Sequence, residues 1–385
     1  MFTLPLLIVS LTFAQGTKYV PPELDKLLLE GVDDVYRMKF DAAEENTRKA
    51  VALNPEHPNP YMGLAGIAWT RYVYETDQGD DRLIGEFDQW TAKTIAVGQK
   101  WLKAHPNDAQ AMMTLGAAYG LSSRLMIIQQ RWISGYLQGR KALAMTKAAV
   151  KADPELWDGY LGLGMYDYYS DLYPRFIGVL AKIVLRGNRA KGIEELKLVA
   201  EKGHYSKHNA QILLVEIYTS DPFGARDPAK AVALMKELRA QFPESAMMHS
   251  AELVAQFTAG KYEQVAESAR AYLKDVAEKR YDAIQEAKGA VALGCALWAL
   301  GKREEALAAF RQAQRVPYNG RMSRWAVWAS IKAGNLEDAM GRRADALKDY
   351  KLAAGEPDRW GFRSIAKAFV SKPYSSPLPD TIDPQ

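Results

Sequence analysis

Cysteine is nearly missing: Cys295 stands alone among 385 residues. One thiol forms no intramolecular disulfide and assembles no cysteine-based metal site. Histidine is scarce as well, with 5 in the chain. His204 and His208 are four apart with Glu201 nearby, but Gly203 interrupts the helix that would align them. No His-Glu-x-x-His pattern occurs, and His57, His105 and His249 are scattered, so neither a metal nor another cofactor is expected. An excess of one charge is lacking. The 50 basic side chains stand against 46 acidic ones and leave +4, which gives no basic field for nucleic acid. Alternating β-branched runs are missing, so strands are not expected, and the one Asn-Gly pair, Asn319-Gly320, reads as a loop between helices. There is no Gly-rich phosphate loop, no nucleophile elbow and no Walker-type lysine, so nothing argues for an enzyme. Beyond the first residues, no stretch reaches the roughly 18 apolar residues of a membrane span.

What is present begins with MFTLPLLIVSLTFAQG. Leu4 to Phe13 is an apolar run of secretory-signal length, and Thr12 and Ala14 are small at the positions a signal peptidase inspects. Residues 1–14 are therefore expected to be a signal peptide cleaved before Gln15, with the mature chain exported to the periplasm or cell envelope. No Lys or Arg precedes the run, and a buried N-terminal helix is the competing reading. No Cys follows it, so lipid attachment there is not indicated.

The remaining chain is organised around AVALGCALWALGKREEALAAFRQA, residues 290–313. Leu293-Gly294, a turn at Gly301-Lys302, then Ala306, Phe310 and Ala313 describe two short helices that cross at small residues. Residues 324–353 match position for position, with Gly334, a turn at Gly341-Arg342, Ala346, Tyr350 and Ala353. Weaker copies begin at Leu27 and Gly31, followed by Ala43, Ala50 and Pro55, and at Met112, Leu115-Gly116 and Tyr119, followed by Ala142, Ala149 and Pro154. Ala231, Met235, Leu238 and Pro243 mark another second helix. A hydrophobic content of 48% suffices for one continuous core.

In these residues the chain resembles exported tetratricopeptide-repeat (TPR) proteins, over most of residues 22–355. The resemblance implies an all-α, right-handed α-solenoid of about eight helical hairpins, each unable to cover its own apolar faces without neighbours. It also implies a concave wall built by the first helix of each hairpin. Carried onto this sequence, the inward positions are Val32, Val35 and Tyr36; Gly66, Trp69 and Thr70; Leu121; Met165, Tyr168 and Tyr169; Cys295 and Trp298; Asn335 and Asp338. That set lacks the Lys, Arg and Asn with which some TPR proteins clamp a peptide carboxylate. The function implied is a non-catalytic scaffold for a protein or peptide partner, with Trp69, Met165, Tyr168, Tyr169 and Trp298 as its contact residues. Aromatic density peaks at residues 157–173. There a core seam and a stacking platform are the two readings of Tyr166, Tyr168, Tyr169 and Tyr173.

Two inserts interrupt the repeats, SSRLMIIQQRWISGYLQGR at 122–140 in the third hairpin and YPRFIGVLAKIVLRG at 173–187 in the fourth. Both are apolar and basic without acids, and both fall between the two helices of a hairpin. They are expected to form added helices on one edge of the stack. In the second insert and just after it, Phe176, Lys182, Arg186 and Arg189 give an alternative reading, a peripheral membrane contact at a lipid interface. A capping helix is expected near 362–370, closing a single solenoid over 15–371. Residues 372–385 are Pro-rich and polar, and are expected to be extended.

Overall fold

The structure, a computed structural model, describes residues 20–128, 131–172 and 187–383. Among them are seventeen α-helices, sixteen of which pair into eight hairpins. Hairpin 1 is α1 (Pro22–Tyr36) and α2 (Phe40–Leu53); hairpin 2 is α3 (Asn59–Thr70) and α4 (Asp81–Ala104). Hairpins 3 and 4 are α5 (Ala109–Ile128) with α6 (Trp132–Ala152), and α7 (Gly159–Leu172) with α8 (Arg189–Lys202). Hairpins 5 and 6 are α9 (Lys207–Ser220) with α10 (Pro228–Gln241), and α11 (Ala246–Thr258) with α12 (Tyr262–Ala277). Hairpins 7 and 8 are α13 (Gln285–Ala299) with α14 (Arg303–Gln314), and α15 (Arg324–Ala339) with α16 (Arg343–Gly355). A single helix, α17 (Phe362–Ser371), packs on α16 and α15. Each helix packs on its sequence neighbours, so the chain is an all-α repeat solenoid.

The crossing within a hairpin rests on one contact. A Cβ at Gly294 would stand 2.5 Å from the Phe310 ring, and one at Gly334 would stand 2.5 Å from the Tyr350 ring. Both rings are fully buried, so the missing side chain is the space that the aromatic fills. The turn that follows is also repeated. Lys302 N–H reaches Leu297 O at 2.9 Å and Arg342 N–H reaches Glu337 O at 2.8 Å, each closing a Schellman cap on a left-handed glycine. Hairpin 1 uses the same cap with Met38 at φ 60. The Met38 sulfur accepts from the Met247 N–H at 3.2 Å, so a long-range contact holds the strained position.

Two expectations are corrected, and one helix start is fixed by its cap. Residues 122–140 are not a separate inserted layer: they lengthen α5 and α6, to 20 and 21 residues. Helix α4 opens at Asp81, because Asp80 caps it by accepting from Arg82 N–H at 3.0 Å. Asn319-Gly320 does link two helical hairpins, but it closes a minimal antiparallel pair, Pro317–Tyr318 with Arg321–Met322. Both turn residues have positive φ, which is the type I′ geometry that suits paired strands. The fourth-hairpin insert, including Phe176, Lys182 and Arg186, lies outside the described residues, apart from Gly187 at its end.

The solenoid does not leave its concave side open along its whole length. Hairpin 1 reaches across to hairpins 4, 5 and 6. The Asp25 carboxylate takes His204 Nε2 at 2.8 Å and the Tyr205 hydroxyl, and Arg37 donates to Glu244 at 2.8 Å. Tyr36, one of the expected inward residues, packs between His208 and Phe242. Hairpin 2 reaches further. After one π turn, in which Thr76 N–H reaches Arg71 O at 3.0 Å, the loop at 76–80 meets hairpins 7 and 8. Gln285 donates to Tyr74 O at 2.7 Å, Trp325 N–H donates to Asp77 at 3.2 Å, and Arg359 donates to Gly79 O at 3.0 Å.

Two predictions follow from these contacts. Gly294→Ala gains about 1 kcal/mol in helix propensity but forces the buried Phe310 ring to move. It therefore lowers the thermal unfolding midpoint, and adding Phe310→Leu restores part of the loss. Equal stability of wild type and Gly294→Ala would show that the crossing is slack. The second concerns pH. The Asp25 bond raises the His204 pKa, and the same bond lowers that of Asp25 against the opposing effect of burial. The stabilisation due to His204 is thus complete below its ordinary pKa of about 6.5 and is lost as pH rises through the elevated one, while that due to Asp25 is lost in acid. Between about pH 6 and about pH 9 the wild-type midpoint should fall further than that of His204→Gln, which cannot carry the charge.

Candidate functional site

The side chains that converge on one place are on the inner faces of α13 and α15. Along α13 these are Lys288, Cys295 and Trp298; along α15 they are Trp325, Trp328, Lys332, Asn335 and Asp338. Steps of three and four keep each set on one helical face. Residues 372–383 run over this wall without helix or strand.

The wall grips that segment through its backbone and through its acids. Trp298 Nε1–H donates to Pro377 O at 2.9 Å, and Trp328 Nε1–H donates to Ile382 O at 2.8 Å. Cys295 Sγ lies 3.7 Å from Thr381 O, and Tyr374 N–H donates to Asp338 at 2.9 Å. The Ile382 side chain is 2% exposed. Lys332, with no exposed side chain, pairs with Asp380 while its ammonium sits 4.6 Å from the Trp328 ring centre. A buried cation with a single carboxylate partner strongly favours keeping that partner, because losing it strands the charge.

Deeper along the wall the charges are more enclosed. Burial raises the Asp383 pKa, opposed by Arg324 and Lys288. Burial lowers the Lys288 pKa, opposed by Asp77 and Asp383, and the ammonium lies between the Tyr74 and Trp325 rings. Burial also pushes the Asp77 carboxyl up to about 6, against the pull of Lys288, Arg324 and the Trp325 N–H. The Cys295 thiol is pushed up to about 12 by burial, far from the thiolate a nucleophile needs.

The sequence-derived contact residues do not form one surface. Trp298 belongs to the wall just described. Trp69 is half-buried against Phe87 and Tyr72, with the Arg124 guanidinium 5.7 Å above it, in the packing of hairpins 2 and 3. Met165, Tyr168 and Tyr169 join a third cluster with Leu196, Leu214 and Ile217. Tyr168 is interior at 4% exposure and donates to Asp221 at 2.8 Å, so here the core seam and not the platform describes it. Tyr169 is half-buried and donates to Glu216 at 3.3 Å. Arg189, the described member of the lipid-contact set, has its guanidinium on the same Asp221 at 3.0 Å and on Phe223 O at 2.6 Å. His204 is committed to Asp25, and His208 meets Gln211 and Gln241 at 2.8 and 3.1 Å, so the two rings serve different neighbours.

Lys288, Trp325, Trp328 and Lys332 were not singled out in the sequence. The signal was available, since the inward stripe through Cys295 and Asp338 continues towards the start of each helix at the same period. Lys332 is also a lone cation within the apolar stretch WAVWASIKAGN.

The tetratricopeptide repeat model matches residues 291–357, which span hairpins 7 and 8. No curated protein matches the chain. Among solved structures, yeast Tom70 is similar at 11% identity, with 88% of this chain and 86% of that chain covered and a TM-score of 0.42. A tetratricopeptide repeat protein from Parabacteroides merdae is similar at 15% identity, over 78% of this chain and 95% of that chain, with a TM-score of 0.34. At scores this low, neither structure speaks to the partner or to the overall curvature. The match at 291–357 makes hairpins 7 and 8 tetratricopeptide repeats, and the other hairpins continue the same all-α repeat architecture.

Proposed function

We propose that this chain is a non-catalytic scaffold that holds an extended segment of a partner protein on the concave wall of hairpins 7 and 8. We place it outside the cytoplasm, in the cell envelope, on the strength of the apolar leader at residues 1–14. A tetratricopeptide-repeat fold is a scaffold for protein–protein interaction. The single observation that carries the finer reading is the docking of residues 372–383. Two indole N–H groups take backbone carbonyls, which suits any extended chain, and the Lys332–Asp380 pair and the Ile382 pocket select among them. The chain's own tail thus occupies the wall in the manner proposed for a partner, and a partner displaces it.

The test uses the full-length chain with its tail released. Asp380→Lys with Ile382→Asp sets two cations together and puts a carboxylate into an apolar pocket. Hydrogen exchange of residues 374–383 should then quicken by at least tenfold, with helical circular dichroism unchanged. The released chain should retain an envelope protein that the wild type retains weakly. Trp298→Phe in that background keeps the ring, removes one hydrogen bond worth about 1 kcal/mol, and should weaken retention roughly fivefold. Equal retention by the wild type, the released chain and the Trp298→Phe chain removes this wall from the reading.

A further inference from the structure

From the exposed end of hairpin 3, we infer a docking surface for an anionic lipid bilayer, a reading that does not depend on the groove at hairpins 7 and 8. Five of the eight exposed large apolar side chains among the described residues gather here. Ile133 is 78% exposed, Trp132 62%, Leu137 53%, Tyr136 40% and Ile127 38%. They sit where α5 ends and α6 begins. A monomeric surface seldom leaves so many large apolar side chains together in water without a use for them.

The charge around them is one-sided. No carboxylate occurs between Asp108 and Asp153, while Arg124, Arg131, Arg140, Lys141, Lys147 and Lys151 all fall in that interval. Two of these cations are turned to rings, Arg124 over Trp69 and Lys141 over Tyr119. Arg131, Arg140, Lys147 and Lys151 are exposed. The acid felt from the adjoining hairpin is Asp88 on α4, which faces Arg131.

The order along α6 identifies the occupant. At 100° per residue, Ile133, Tyr136, Leu137, Arg140, Lys147 and Lys151 share one face. The apolar members come first, and Arg140 lies about 10 Å behind Ile133 along the axis. A bilayer has this layering: the acyl boundary lies beneath phosphates about 5–10 Å further out. Trp and Tyr prefer that boundary, and Arg131 at the turn can extend its guanidinium back to the phosphates. A protein interface places its cations around an apolar centre as a rim, whereas here they stand in line behind it.

The experiment is flotation of the full chain with vesicles of phosphatidylcholine, alone or mixed with phosphatidylglycerol. The chain should float with the mixed vesicles and remain behind with the neutral ones, and added salt should release it. Ile133→Ser with Leu137→Ser changes only exposed side chains, so the fold persists, and vesicle binding should fall at least tenfold. Arg140→Glu with Lys147→Glu should abolish the preference for phosphatidylglycerol. The emission lost in Trp132→Phe should shift to the blue on vesicle addition only in the chain that retains Trp132. Failure of the wild type to float, or unchanged flotation of Ile133→Ser with Leu137→Ser, overturns the inference. So does a concentration-dependent dimer that forms through this end and leaves the vesicles untouched. None of these outcomes bears on tail docking at Trp298 and Lys332.

Discussion

The architecture depends on a ring filling the space beside a glycine. Where Phe310 lies on Gly294 and Tyr350 on Gly334, two helix backbones approach closely enough for a short turn to join them. The left-handed glycine that follows ends the first helix and sets the angle at which the second returns. A hairpin made this way still has apolar faces uncovered, so the next one must stack on it. Hairpins 7 and 8 share the largest continuous cluster of buried side chains, which runs from Ala246 to Ile382. The regularity of this pair is what brings α13 and α15 side by side, and with them three indoles and two lysines on one wall.

The rest of the shape comes from contacts that do not repeat. Asp25 with His204, Arg37 with Glu244, and Asp77 with the Trp325 N–H join residues 179 to 248 positions apart. They draw the first two hairpins across the concave side, so the solenoid is braced as well as stacked. This bracing leaves Tyr36 and Tyr74 half-buried. It also confines the tail: Asp383 meets Lys288 and Arg324 close to the Tyr74 carbonyl's partner, Gln285.

In the function proposed above, tail and wall form a site whose chemistry is recognition. The carbonyls of Pro377 and Ile382 are taken by side chains, so the grip tolerates many sequences, while Lys332 demands an acid and the Ile382 pocket an apolar group. Elsewhere, the exposed end of hairpin 3 presents apolar rings and cations in water. The two surfaces differ in kind. One is enclosed, reads backbone and is filled by the chain itself; the other is open, reads no backbone and carries one sign of charge.

Much of the repeat was legible in the sequence, because its cause is local. Small residues at Gly294 and Gly334, aromatics sixteen positions later and turn glycines seven positions later act within one hairpin, and their spacing records them. The inward stripe came from the resemblance to tetratricopeptide repeats, carried over by position from each small residue, which is how Trp298, Cys295, Asn335 and Asp338 were found. Spacing could not show which inward side chains stay free. Tyr168 is taken by Asp221 from the next hairpin, and Trp69 by the packing of its own hairpin on hairpin 3. Nor could composition show that a Pro-rich polar tail docks, since the groups holding it, Lys332 and two indoles, are neighbours only after two helices stack. Periodicity along the chain thus determined the helices and their pairing. Tertiary structure alone decided what lies against the inward face, because contacts between residues tens to hundreds of positions apart leave no period to read.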